Sequence, residues 1–222
     1  SWGTLVVATT VTLKVNPKPE TSASFRLTGL SDEDAVKAMC AAMGSSAEVS
    51  GAAHLPAGIE GGEGQTLLRL EGFATSVDYR FDTLRKLLAP FGTPTRIQNE
   101  ESATLWTRVR DVMPFAGGRT PVWRISVAPA SGADLVAQLR DKLDLQAFYD
   151  WSGGLVWLNC LDGEVHDVPV RDAVADCGGG HATLVRADAP VRASVPVFQP
   201  QPDALAALAQ RVKEQFDPHG IL

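Results

Sequence analysis

The chain has 222 residues, 45% of them hydrophobic, which is enough to build the core of one large domain or two small ones. Its formal net charge of −6 argues against nucleic acid or an anionic membrane as the partner, because phosphate binding needs clustered lysine and arginine. No stretch approaches the roughly 20 apolar residues that cross a bilayer, so direct membrane insertion is not expected.

The first half of the chain predicts strands and helices in the order βαββαβ. Residues 21–29 alternate between polar and apolar side chains, as in a half-buried strand, and Ser31 then begins a helix that runs through Met43. Strands are predicted at 47–55, 66–73 and 95–98. The second helix is marked by apolar residues at helical spacing, namely Val77, Phe81, Leu84 and Leu88.

The second half predicts the same order after an intervening helix at about 100–113. Its strands are expected at 122–128, 146–151, 155–161 and 181–187, with helices marked by Leu135, Leu139, Leu143 and by Val170, Val174, Cys177. The predicted fold is therefore α+β: two ferredoxin-like repeats at about 21–99 and 120–188, with an antiparallel sheet and helices on one face.

A proline-rich tether follows, and residues 189–222 are expected to form this tether and a C-terminal helix. Asp203 is expected to cap that helix, whose predicted buried face consists of Leu205, Leu208, Val212 and Phe216. Cys40, Cys160 and Cys177 lie far apart with no histidine at ligand spacing, so no metal site is predicted.

Strand alternation predicts which side chains lie on the face that the helices leave open. This mixed set comprises Arg26, His54, Arg69, Glu71, Arg124, Trp157, Asn159, His181 and Thr183. Arg124 or Arg69 would bind a carboxylate through two hydrogen bonds, with Trp157 and Asn159 as further substrate contacts, and His54 or His181 are candidates for taking up a proton. An ordinary solvated face, or an interface between domains, is the alternative interpretation.

Four separated motifs resemble FAD-linked oxidases of the vanillyl-alcohol oxidase type. The stretch GTLVVATTVTLKV at 3–15 resembles the family's GTLGVITEVTLKV, and FDPHGIL at 216–222 is similar to its FDPxGILNPG ending. Two further stretches, VSGAAHLP at 49–56 and GGHATLVRA at 179–187, look like the FAD-binding subunit of bacterial glycolate oxidase. The resemblance covers nearly the whole chain.

The resemblance implies a cap domain at 21–188 whose sheet covers the flavin, preceded at 1–20 by the final strand of an FAD-binding domain. No glycine-rich dinucleotide cradle precedes the cap, so FAD is expected to be bound mainly by a domain absent from this chain, and the native N-terminus is expected further upstream. Gly3, Thr4, Leu5 and Val7 are the expected cofactor contacts. The fragment alone is expected to be inactive.

Three functions remain open at this point. The chain is the cap of an FAD-dependent oxidoreductase that oxidises a 2-hydroxy acid such as glycolate, a non-catalytic electron-transfer or assembly subunit of a glycolate oxidase complex, or a tandem ferredoxin-like ligand-binding module. The resemblance implies a second flavoprotein and an iron–sulfur subunit as partners. It also implies a cytoplasmic location, with peripheral attachment to the inner membrane through those subunits.

Overall fold

The computed structural model describes residues 4–15 and 17–222, which form two compact units. The larger unit, Pro19–Gln199, contains a sheet of eight strands. The smaller consists of the described residues up to Lys18 together with Pro200–Leu222.

The strands of the larger unit are short and all pair antiparallel with their neighbours. They are β1 (Thr21–Thr28), β2 (Gly51–Leu55), β3 (Gln65–Gly72), β4 (Thr95–Gln98), β5 (Val122–Ser126), β6 (Leu145–Asp150), β7 (Leu155–Cys160) and β8 (His181–Arg186). Their order across the sheet is β4-β1-β3-β2-β6-β7-β5-β8. The two halves of the sheet meet where β2 pairs with β6, at His54 and Tyr149.

Seven helices accompany the sheet within the described part of the larger unit. They are α1 (Asp32–Met43), α2 (Ala74–Leu87), α3 (Asn99–Arg110), α4 (Met113–Ala116), α5 (Gly132–Arg140), α6 (Asp167–Asp176) and α7 (Ala189–Ser194). Short 3-10 turns lie at Ala89–Phe91, Pro129–Ser131 and Trp151–Gly153. The predicted α+β class with an antiparallel sheet is confirmed, and α7 forms inside the segment that had been expected to be a tether.

One face of the sheet, called the first face, carries α1, α2, α5 and α6 and holds the main core. Alternate strand residues such as Phe25, Leu68 and Trp123 point into it and are fully buried. Helix α1 begins as predicted, since the hydroxyl of Ser31 accepts a hydrogen bond from the Asp34 amide at 3.1 Å. The apolar stripes of the four helices therefore cover this face continuously.

The opposite face, called the second face, is not bare, and the prediction that helices lie on one face alone is wrong. Helix α3 packs against it, where the indole Nε1–H of Trp106 donates to the Ser24 hydroxyl at 2.8 Å. Trp106 joins a second apolar cluster with residues of α3, α4 and five strands, namely Ala53, Leu55, Leu67, Ile97, Val109, Phe115, Val122 and Phe148. Because the apolar side of α3 must leave water, the helix covers part of the second face.

The smaller unit contains α8 (Asp203–Phe216), which ends in a turn organised by Asp217. The Asp217 carboxylate accepts hydrogen bonds from the amides of Ile221 and Leu222, each at 2.9 Å. The Lys213 ammonium donates to the Thr4 carbonyl at 2.7 Å. Asp203 is the first helical residue and makes no side-chain cap, contrary to the prediction.

The predicted buried face of α8 is exposed in the described structure. Between 40% and 64% of the surface of each of its apolar residues is accessible, namely Leu205, Leu208, Val212 and Phe216. Among the residues described, no helix is long and apolar enough to cross a bilayer.

Candidate functional site

The second face has an uncovered part on the side of the sheet formed by β5–β8. Arg124 on β5 lies directly opposite Trp157 on β7 and Thr183 on β8, so these three side chains form one row across the sheet. All three are half-buried. The alternation correctly predicted that they share a face, and the register adds that they are direct neighbours.

Arg124 is better placed to bind an anion than Arg69, the other arginine predicted to bind the substrate. In the described part of the chain it has neither an ion pair nor a hydrogen bond to a protein acceptor, and its central carbon lies 5.2 Å from the centre of the Trp151 indole. An arginine held over an aromatic ring keeps its planar set of donors available for a carboxylate.

Trp151 belongs to a strained turn between β6 and β7. Trp151 and Ser152 both adopt left-handed backbone conformations, with φ of 50° and 60°, and each such non-glycine residue costs on the order of 1–3 kcal/mol. The turn is tightly packed, because a Cβ added to Gly132 would lie 2.0 Å from the carbonyl oxygen of Gly153. The surrounding backbone therefore holds a turn that leaves the Trp151 side chain 57% exposed.

Asp150 precedes this turn and lies on the same face of the sheet. Its carboxylate accepts a hydrogen bond from the Trp151 amide at 2.8 Å. Burial raises the pKa of Asp150 above its ordinary value, while that hydrogen bond and the charge of Arg69 act in the opposite direction. Asp150 and Trp151 were not predicted as site residues, since the only signal in the sequence was their place at the end of a predicted hairpin strand.

Two other predicted substrate residues are already engaged by the protein. Arg69 bonds the Ser50 hydroxyl at 3.2 Å, pairs with Glu71 at 3.1 Å and lies over the Trp106 ring. Asn159 is 7% exposed, and its carbonyl oxygen accepts a hydrogen bond from Thr120 at 2.5 Å. The guanidinium of Arg69 is therefore already paired within the protein, and the side chain of Asn159 is held through its carbonyl oxygen.

The two histidine candidates lie in different environments. His181 is exposed on β8 and pairs across the sheet with Ser126, on the second face as predicted. His54 is fully buried on the first face, so the prediction that it shares a face with Arg124 is wrong. Alternation could not assign its direction, because Ala52 and Ala53 before it are both buried, one on each side.

His54 instead belongs to a polar network at the junction between the two halves of the sheet. Its Nδ1 lies 2.9 Å from the Thr66 hydroxyl and its Nε2 lies 3.4 Å from Asp32, near the outer limit of a hydrogen bond. Asp32 also accepts hydrogen bonds from the Tyr149 hydroxyl at 2.6 Å and from Arg140 at 2.5 Å. This network joins α1 and β2 to α5 and β6.

Asp32 is strongly acidic in this network. Burial by itself raises the pKa of Asp32, but the close contact with His54, the hydrogen bonds from Tyr149 and Arg140 and the charge of Arg140 together lower it from 3.8 to about 2. Burial and the neighbouring Asp32 charge raise the pKa of Tyr149, so its phenol stays protonated and donates.

The predicted cofactor contacts lie in the smaller unit, except that Gly3 lies outside the described residues. Thr4 and Val7 are exposed and Leu5 is half-buried. Within the described ranges, no glycine-rich turn opens a helix in the manner that binds a pyrophosphate, and no group of three metal-ligating side chains occurs.

Two solved structures of enzymes share this fold. A 4-ethylphenol oxidase from Gulosibacter chungangensis is 15% identical, with a TM-score of 0.58 over 93% of this chain and 53% of that one. An alkyldihydroxyacetonephosphate synthase is 11% identical, with a TM-score of 0.50 over 91% of this chain and 44% of the other. At these identities the likeness shows the fold alone.

The sequence itself is homologous to one subunit of an oxidase complex. It is 28% identical over 228 residues to the glycolate oxidase subunit GlcE of Escherichia coli (strain K12). The match covers 100% of this chain and 53% of GlcE, so the chain spans about half the length of that relative. No protein-family profile matches the sequence. The resemblance that the sequence motifs predicted is thereby confirmed.

Proposed function

We propose that this chain is the cap region of an FAD-dependent oxidoreductase and that its second face binds a 2-hydroxy acid such as glycolate. The observation that carries the proposal is Arg124, a half-buried guanidinium that has no acceptor among the described residues, on the uncovered part of the sheet. Homology to a glycolate oxidase subunit supports the class of substrate.

The proposed cap consists of two ferredoxin-like units. Support comes from the sheet order, since β4-β1-β3-β2 in the first half corresponds to β8-β5-β7-β6 in the second. In each unit the first and second strands lie on either side of the third, as expected for βαββαβ connections. We propose that residues 1–20 complete a flavin domain, where they would form its final strand, and that 189–222 are the tether and final helix; no strand is assigned at 4–15 or 17–20 in this chain.

FAD fits this chain only in part. The described residues offer no cradle for its pyrophosphate, so we propose that a domain outside this sequence holds most of the cofactor, with Thr4, Leu5 and Val7 at the rim of its site. A bound FAD would supply the oxidising chemistry, which is the capacity to take up a hydride.

The roles of this chain's own residues follow from the second face. The Arg124 guanidinium holds the substrate carboxylate through two hydrogen bonds. The Asp150 carboxylate accepts the hydroxyl proton, because its raised pKa makes it a stronger base than an exposed aspartate. His181 is the alternative proton acceptor on the same face, whereas His54 is on the wrong side of the sheet.

The experiment uses the full-length gene product, which includes the proposed flavin domain. Replacing Arg124 with methionine is expected to raise the Kd for glycolate by about 30- to 100-fold, since a charge-assisted bidentate contact is lost. Arg119→Met is the matched control, because Arg119 is an exposed arginine just before β5. Equal glycolate affinity in both variants, or no bleaching of flavin absorbance by glycolate in the unmodified protein, would refute the proposal.

A second candidate function is a non-catalytic subunit that serves assembly or electron transfer in a glycolate oxidase complex. The exposed apolar side of α8 favours it, because a stripe of this kind is typical of a docking surface. If this function is correct, the protein is expected to co-purify with a second flavoprotein and an iron–sulfur subunit. The complex is then expected to be attached peripherally to the inner membrane through those subunits. Glycolate oxidation by the full-length gene product without other subunits would argue against it.

A further inference from the structure

The Arg124 guanidinium lies among large aromatic surfaces. The Trp151 indole lies 5.2 Å from its central carbon, and Trp157 stands directly opposite it on the neighbouring strand. Trp157 in turn stacks on Phe148, with the ring centres 6.5 Å apart and an angle of 23° between the planes. A carboxylate bound by Arg124 would therefore have indole surface beside it.

The exposure of Trp151 is costly and is maintained by the structure. More than half of the side chain is accessible, at 57%, although an indole is among the most favourable groups to bury. Its backbone is held in a left-handed turn in which Gly153 leaves no room for a Cβ, since that atom would lie 2.6 Å from the Pro129 carbonyl oxygen. Strain and an exposed aromatic ring at one position suggest a contact with a ligand.

Glycolate is too small to cover this aromatic surface. Beyond its carboxylate it has a single carbon and a hydroxyl group, so a glycolate molecule held by Arg124 covers little of either indole. A 2-hydroxy acid with an apolar or aromatic side chain places that group against the rings while keeping the same contact between its carboxylate and Arg124.

We propose that the site formed by Arg124, Trp151 and Trp157 prefers 2-hydroxy acids with an aromatic or large apolar side chain over glycolate. This inference rests on the proposed function, because it assumes that Arg124 binds the substrate carboxylate. Trp151 is the specificity-determining residue: its free indole surface receives the side chain of the acid.

The test compares acetate with phenylacetate, two carboxylates that lack the hydroxyl group and so bind without being oxidised. Their Kd values are measured by titration calorimetry on the full-length protein. Phenylacetate is expected to bind at least about tenfold more tightly than acetate, as one good aromatic contact allows. Trp151→Ala is expected to reduce this ratio to near one, and Trp151→Phe to keep most of it.

The control is Tyr79→Ala, because Tyr79 is a 75% exposed aromatic residue on α2, which packs on the first face. It is expected to leave the ratio unchanged, and Arg124→Met to weaken both ligands together. Equal affinities for acetate and phenylacetate in the unmodified protein would overturn the inference while leaving the carboxylate site intact. If neither acid binds, the proposed function itself fails.

Discussion

Asp32 provides a direct test of what holds the two halves of the sheet together. Its carboxylate is 17% exposed and lies at the junction, where it bonds Tyr149 and Arg140 from the second half. The pKa of Asp32 falls from 3.8 to about 2 on folding. Since one pKa unit corresponds to about 1.4 kcal/mol, its ionised form contributes about 2.5 kcal/mol to the free energy of unfolding.

The pH dependence follows from the sign of this change. A carboxylate whose pKa is lower in the folded state stabilises the protein above pH 3.8, and this contribution disappears as the pH falls from about 4 to about 2. Asp32→Asn is therefore expected to lower the free energy of unfolding by about 2 kcal/mol at pH 7, and by much less near pH 2.

Urea unfolding of both proteins, followed by circular dichroism between pH 2 and pH 7, measures the difference. Glu33→Gln is the matched control, because Glu33 is the next residue on α1 and pairs with Lys37 at the surface, where such pairs contribute little. If Asp32→Asn unfolds at the same urea concentration as Glu33→Gln at pH 7, the network does not stabilise the junction and the reasoning is refuted.

Two further substitutions test the packing on either side of the sheet by urea unfolding. Gly132→Ala is expected to destabilise the protein by about 2–3 kcal/mol, since the new Cβ would collide with the Gly153 carbonyl. The control Gly117→Ala is expected to be neutral, because a Cβ at Gly117 meets open space. Equal stabilities of the two variants would contradict the close approach of Gly132 to Gly153. Trp106→Phe is expected to lower the free energy of unfolding by about 1–2 kcal/mol, because the buried Ser24 hydroxyl loses its indole donor. An unchanged urea midpoint of unfolding would show that this hydrogen bond does not hold α3 on the second face.

The candidate site could be predicted only in part from the sequence. Strand alternation placed Arg124, Trp157 and His181 on one face correctly, because each lies in a strand whose other residues are clearly apolar. It misplaced His54, since β2 is buried on both sides and small alanines give no preference for either. The sequence contains no indication of the strained turn, because tryptophan is not a residue type that favours a left-handed backbone, the conformation of Trp151.

The order of strands and helices was determined by the sequence itself, because the spacing of apolar residues is a local property that each segment carries alone. Helix α1, for example, begins at the residue after Ser31 and ends at Met43 as its capping and spacing indicate. Only the tertiary structure decided that α3 covers part of the second face and that Trp151 lies against Arg124. Both contacts join residues that are distant in sequence. An apolar stripe on a helix indicates that this side of the helix is buried, but it does not indicate which surface it packs against.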